Sequence, residues 1–178
     1  SGDLVLVDRI SYHFRKPKRG EVFVFDTRGI TTSGDLTREL RDQTGGSHYI
    51  KRLCGVPGDS LQIETPNLLV NGKLAEEPMI QRVMQREGDY GGDSHPGYIL
   101  ADPRSAAKFR NSPLVKKGSV FKLKDTDEVG MREYAALGDN TANSLDSRYW
   151  GSAKEFNLVG PGWFSLWPFD SGHWGFIR

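Results

Sequence analysis

Lys51 lies in the run His48-Tyr49-Ile50-Lys51-Arg52-Leu53-Cys54, followed by Gly55-Val56-Pro57-Gly58-Asp59. In an extended strand alternate residues share a face, so Lys51 would stand between Tyr49 and Leu53, with Ile50, Arg52 and Cys54 on the other side. An ammonium wedged between apolar side chains is desolvated. Its pKa falls, and a neutral amine able to accept a proton becomes accessible near neutral pH. The same pattern fits a structural lysine whose stem lies on apolar surface while its ammonium reaches water. On one strand alone both readings stay open.

A second stretch of interest runs Gly138-Asp139-Asn140-Thr141-Ala142-Asn143-Ser144-Leu145-Asp146-Ser147-Arg148-Tyr149-Trp150-Gly151. Small polar residues packed this densely after an apolar strand predict a loop folded on its own side-chain hydrogen bonds. Asp139, Asp146 and Arg148 are available in it for charge pairing. Taken alone it is a rigid turn.

Other chemistries are excluded on inspection. There is no Gly-x-Ser-x-Gly elbow, phosphate-binding Gly-rich loop or His-Glu-x-x-His helix. His13, His48, His95 and His173 lie far apart and have no cysteine partner at ligand spacing, so neither a metal nor another cofactor is expected. Lys and Arg total 24 against 23 Asp and Glu, a net charge of +1, which supplies no field to attract nucleic acid. The basic cluster Arg15, Lys16, Lys18 and Arg19 around Pro17 reads as a solvated turn. Cys54, the single cysteine, cannot form an internal disulfide.

The elements that must position these residues are mostly strands. Twenty-one glycines and nine prolines punctuate segments rich in Val, Ile, Phe, Tyr and Trp. Strands are expected over 4–10, 21–26, 48–54, 60–64, 68–70, 73–75, 119–123, 133–137 and 162–167. Asn71-Gly72 predicts a type I′ hairpin, and Val56-Pro57-Gly58-Asp59 a tight turn directly after the Lys51 strand. Short helices are expected over 36–42 and 76–87, and residues 80–117 read as an irregular insertion. No apolar run approaches the roughly 18 residues of a membrane span. The chain opens inside a strand pattern, at Gly2-Asp3-Leu4-Val5-Leu6-Val7, which reads as a truncated start.

Together these segments resemble type I signal peptidases, membrane-bound Ser/Lys peptidases that remove secretory signal peptides. Gly2-Asp3-Leu4-Val5-Leu6-Val7 is similar to the strand after the family's nucleophile, and Lys18-Arg19-Gly20-Glu21-Val22-Phe23-Val24-Phe25 to its next strand. Tyr49-Ile50-Lys51-Arg52 with Gly55-Val56-Pro57-Gly58-Asp59 is similar to the base-lysine motif. Gly138-Asp139-Asn140, Asn143-Ser144 and Asp146-Ser147-Arg148-Tyr149-Trp150-Gly151 resemble the last motif. Val70-Asn71-Gly72-Lys73 and Leu158-Val159-Gly160 also fit in order.

The resemblance implies a mostly β fold of antiparallel sheets with few short helices. Its core parts would be about 1–64 and 125–168, with an inserted subdomain at about 65–124. It implies Lys51 as general base and Ser144 as the hydroxyl that orients its amine, with Arg52, Asp139, Asp146 and Arg148 as a charged frame. Val5, Val24, His48, Tyr49, Ile50 and Leu145 would line shallow pockets for an extended Ala-x-Ala-type substrate.

The implied partners are signal peptides of secreted preproteins and a membrane surface. The implied place is the extracytoplasmic side of a bacterial cytoplasmic membrane. The family's Ser-Met-x-Pro-Thr-Leu type nucleophile motif is not in these residues, so the stretch alone is expected to be inactive. Thr141 stands where many relatives carry arginine. Two further readings are a self-cleaving Ser/Lys repressor and a non-catalytic β module that binds extended peptides.

Overall fold

The computed structural model describes residues 4–30, 47–92, 95–109, 111–167 and 175–176. Residues 1–3 and the helix expected over 36–42 lie outside them.

Eleven strands form two sheets: β1 (Leu4–Val7), β2 (Val22–Asp26), β3 (His48–Gly55), β4 (Ser60–Glu64), β5 (Asn67–Val70), β6 (Lys73–Leu74), β7 (Phe121–Lys122), β8 (Glu133–Leu137), β9 (Ala153–Lys154), β10 (Leu158–Trp167) and β11 (Gly175–Phe176). The larger sheet runs β1-β10-β2-β3-β8-β9, with β11 also on β10, and the smaller runs β6-β5-β4-β7. Every pairing is antiparallel, as the short strands and tight turns imply. The α-helices of the described residues are short, α1 (Ser11–Phe14), α2 (Pro78–Gln85), α3 (Pro103–Ala106) and α4 (Ser147–Trp150), and single 3-10 turns lie at Gly88–Tyr90, Thr141–Asn143 and Glu155–Asn157. None of the described helices is long and apolar enough to cross a membrane.

Local chemistry accounts for the joints. Asn71 and Gly72 adopt φ of 53° and 77°, as a type I′ turn demands, and Val70 pairs with Lys73 across it. Gly58 takes φ of 88° in the turn between β3 and β4, closed by Asp59 N–H donating to Val56 O at 3.0 Å. The Asp59 carboxylate also accepts from Val56 N–H at 2.9 Å and from Arg19 at 2.9 Å. Arg19 reaches Glu77 as well, at 2.6 Å, so it is not the solvated residue expected but a tie between the turn and the start of α2. A guanidinium is planar and carries several donors, which lets it serve both carboxylates at once.

Several boundaries differ from expectation. The strand expected over 4–10 ends at Val7 because the Asp8 carboxylate accepts the N–H groups of Ile10 and Ser11, at 2.9 and 3.0 Å, and turns the chain into α1. The last long strand begins at Leu158 rather than 162. The helix expected over 76–87 spans Pro78–Gln85 and stops at Arg86, which has φ of 58°. The strands expected over 73–75 and 119–123 are each two residues long, and β9, β11, α1, α3 and α4 were not expected. Elements this short have no period to read and owe their form to neighbours. β4 hydrogen-bonds to β5 and β7, so residues 60–64, expected in the first core part, pair within the smaller sheet.

Apolar residues gather on both sides of β3. Cys54, Leu61, Ile63, Leu68, Ile80, Tyr98 and Leu137 form one buried cluster. Leu53 joins Phe23, Phe25, Tyr134, Ala136 and Ala153 in another. The alternation read from the sequence is thus realised, with Tyr49 and Leu53 packing on one cluster and Cys54 on the other.

Candidate active site

Lys51 is directly opposite Phe23 of β2, and Tyr49 opposite Phe25. Opposed residues of an antiparallel pair present side chains on one face, so the Lys51 stem rises among Phe23, Tyr49 and Leu53. Phe25 packs edge-on to Tyr49, with ring centroids 6.2 Å apart, and lies 5.6 Å from Trp150. This wall removes water from the amine. Burial accordingly pushes the Lys51 pKa down; Asp146 opposes the shift, Arg148 reinforces it, and Asp139 opposes it.

On its other edge β3 meets β8, where Arg52 pairs with Leu137 and Leu53 with Ala136. One more step of that register sets Lys51 opposite Gly138. A Cβ built on Gly138 would overlap the Cβ and Oγ of Ser144. The Ser144 side chain therefore fills the place of a side chain at 138, on the Lys51 face. Its Oγ is buried and makes no hydrogen bond among the described residues. A buried hydroxyl without a partner costs about 1–3 kcal/mol.

The loop that returns Ser144 to Gly138 is held by Arg148 and Asp146, both with fully buried side chains. Arg148 Nε donates to Asp146 Oδ1 at 2.8 Å and Nη2 to Oδ2 at 3.0 Å. The same Nη2 reaches Thr141 O at 2.7 Å and Ser144 O at 3.0 Å, while Nη1 reaches Ile99 O at 2.9 Å. Asp146 also accepts from Gly138 N–H at 3.0 Å and caps α4 through Arg148 N–H at 3.1 Å. Ser147 Oγ accepts from Ala136 N–H at 2.9 Å, fastening α4 to β8. One guanidinium and one carboxylate thereby satisfy most of the loop's inward-facing backbone.

A second pair lies on the opposite face of β3. Arg52 grips Asp139 through Nε at 2.8 Å and Nη2 at 2.6 Å, and donates to Gly20 O at 2.7 Å. Tyr90 OH donates to Asp139 Oδ2 at 3.2 Å. The four charged residues thus form two bidentate pairs on either side of Lys51.

The six residues expected to line substrate pockets are spread over both faces of the larger sheet. Tyr49 shares the Lys51 face, whereas Val24 pairs with Ile50 and His48 with Asp26 on the other. Val24 is buried; His48 and Ile50 are exposed. Val5 is on β1, with β10 between it and β2. Leu145 packs with Ala101, Ala106, Phe109 and Tyr149. Among the described residues His48–Ile50 pair only with β2, because the β8 ladder begins at Arg52. Among the described residues, one edge of β3 is thus unpaired at the start of the Lys51 strand.

Sequence reasoning missed Phe23 as the wall opposite Lys51, Tyr90 on Asp139 and Gly138 as the space for Ser144. Alternation along β2 would have found Phe23. No sequence signal joins Tyr90 to Asp139.

Comparison with known proteins bears on this arrangement. Residues 1–167 match the profile of the family described as signal peptidase, peptidase S26. The chain is 30% identical over 166 residues to a Synechocystis protein named "Probable signal peptidase I-2", covering 93% of this chain and 56% of that one. It is 28% identical over 168 residues to signal peptidase I of Leptolyngbya laminosa, covering 93% and 61% respectively. It is 29% identical over 178 residues to signal peptidase IB of a Staphylococcus aureus strain, covering 98% and 74%. The chain therefore spans less than two thirds of the cyanobacterial relatives. A solved signal peptidase I from Enterococcus faecalis aligns over 83% of this chain and 97% of its own, with 20% identity and a TM-score of 0.46.

Proposed function

We propose, for a chain that belongs to the signal peptidase family, peptidase S26, that it is the catalytic region of a serine endopeptidase that removes signal peptides from exported proteins. The reading rests on one observation: the Ser144 hydroxyl, buried and without a hydrogen bond among the described residues, occupies the Gly138 side-chain position, which the β3–β8 register sets opposite a desolvated lysine. An amine so placed is suited to work as a base without histidine.

In the proposed reaction neutral Lys51 takes the proton of an attacking serine as that oxygen bonds to the scissile carbonyl carbon. The amide C–N bond then breaks, the proton passes to the leaving amine, and an ester remains on the serine. Water, deprotonated by the same lysine, hydrolyses the ester. Ser144 holds the Lys51 amine toward the serine. The Arg52–Asp139 and Arg148–Asp146 pairs keep the frame in register. By the resemblance the attacking serine belongs to a Ser-Met-x-Pro-Thr-Leu type motif.

The substrate would lie extended along the open edge of β3 at His48–Ile50, adding a strand. Side chains of an extended peptide alternate between faces, which suits lining residues on both faces of the sheet. Small residues of an Ala-x-Ala type would enter between Val5, Val24, His48, Tyr49, Ile50 and Leu145. Exposed Leu6, Ile10, Phe14 and Trp163 support work beside a membrane; the extracytoplasmic side of a bacterial cytoplasmic membrane is what the family resemblance implies.

The test uses a chain that carries the serine, with a preprotein as substrate. Lys51→Ala should abolish cleavage while the fold, by circular dichroism, persists. Cleavage at the unaltered rate by that variant refutes the reading.

A further inference from the structure

The turn that delivers Ser144 is braced by the inserted region as well as by β3. Thr141 lies between Asp139 and Ser144, is 1% exposed, and donates its hydroxyl to the carbonyl of Gly97. Gly97 is packed closely against Pro66. Its φ is 79°, and a Cβ there would come within 2.5 Å of Pro66 Cβ, so only a glycine fits at this approach.

The next residue fixes this segment to the smaller sheet. Tyr98 is fully buried with Leu61, Ile63 and Leu68, and its N–H donates to Pro66 O at 2.9 Å. Gly97 is thus an acceptor tied to the smaller sheet through its neighbour Tyr98, and the Thr141 hydroxyl is the link from it to the turn. From Thr141 the constraint passes on through one nitrogen. Arg148 Nη2 donates to both Thr141 O and Ser144 O, so a shift of Thr141 alters the fork that sets Ser144.

We propose that Thr141 is a positioning residue, whose hydroxyl bond to Gly97 sets the Ser144 hydroxyl beside Lys51 and so makes the inserted region part of the catalytic scaffold. The proposal rests on the function proposed above. Thr141 touches neither the amine nor a substrate in this scheme; it acts through Arg148 and the turn.

The experiment measures kcat and KM for preprotein cleavage, in the complete chain with its serine, for Thr141→Ser, Thr141→Cys and Thr141→Val, with Lys51→Ala as control. A displacement of about 1 Å at a reacting group can cost around 100-fold, so Thr141→Val should lose about tenfold to 100-fold in kcat with KM within about twofold. Thr141→Ser keeps the donor and should retain kcat within about threefold, with Thr141→Cys, a weaker donor, between Ser and Val. This order in kcat, present among variants of native circular dichroism, supports the proposal.

Equal kcat for Ser, Cys and Val overturns it, and so does a loss in Thr141→Ser as large as in Thr141→Val, which would assign the effect to methyl packing. If Val does not fold, the Ser and Cys comparison decides in the same way. A Lys51→Ala variant that still cleaves removes the parent reading instead. An inactive Lys51→Ala beside an indifferent Thr141 series removes only this inference.

Discussion

Ser144 stands where residue 138 has no side chain: the Gly138 Cβ position and the Ser144 Cβ and Oγ cannot be filled together. The glycine is thus required by close approach, and it decides where the hydroxyl sits relative to Lys51.

Gly138→Ala should therefore push the Ser144 turn away from β3. The expected result is a loss of kcat of about 100-fold or more, since small misplacements are costly, with destabilisation of about 1–3 kcal/mol from overpacking. Cleavage kinetics and urea unfolding measure the two. Wild-type kcat in a folded Gly138→Ala protein would show that the position of Ser144 is immaterial.

Ser144→Ala removes the hydroxyl and leaves the turn. General-base function typically contributes about 10²–10⁴-fold, and in the proposed scheme loss of the hydroxyl that orients the base should remove a substantial part of it. The turn is held by Arg148 and Asp146, so the thermal midpoint should change little. Single-turnover cleavage assays check the first statement and calorimetry the second.

The depressed pKa of Lys51 makes stability depend on pH with a defined sign. Between the lowered folded value and the ordinary lysine value of about 10.4, the unfolded chain binds more protons, so stability rises with pH across that window. Lys51→Met lacks this slope. Its stability should exceed that of the native chain at neutral pH, and the advantage should shrink as pH climbs toward the ordinary lysine value. Urea unfolding of both proteins over the alkaline range measures it, and a constant difference would mean that Lys51 is not desolvated. Over the same range kcat/KM of the complete enzyme should rise with pH as the amine loses its proton.

Arg148→Met should be the most damaging of the frame substitutions. It leaves Asp146 charged, buried and short of its main partner, and takes donors from Ile99, Thr141 and Ser144. Breaking one side of a buried pair costs about 3–5 kcal/mol. Chemical denaturation should show that loss, against a much smaller one for Arg15→Met, whose partner Glu21 lies at the surface.

Cys54 offers a reporter of unfolding. Burial pushes its thiol pKa up to about 12, with the Tyr98 hydroxyl 3.6 Å away opposing the shift. A thiol so shifted stays protonated and unreactive. Alkylation near pH 8 should therefore track global opening and accelerate in denaturant alongside the loss of circular dichroism. Fast labelling under native conditions would contradict the packing between the sheets.

Much of this protein is legible in its residues because the signals are local. Alternation along β3 gives Lys51 its apolar neighbours, Asn71-Gly72 dictates a turn that needs positive φ, and Pro57-Gly58 ends the lysine strand. The small polar residues from Gly138 to Ser147 announce a self-bonded loop. Tertiary structure alone decided which strands meet. The β3–β8 register brings Gly138 to Lys51, and the return of the loop brings Ser144 into the gap. The pairing of Arg52 with Asp139, and the bracing by Tyr90, Gly97 and Ile99, were likewise chosen by the fold. Each joins residues that no period or turn rule connects, because hydrogen bonds between distant segments become favourable only once burial has removed competing water.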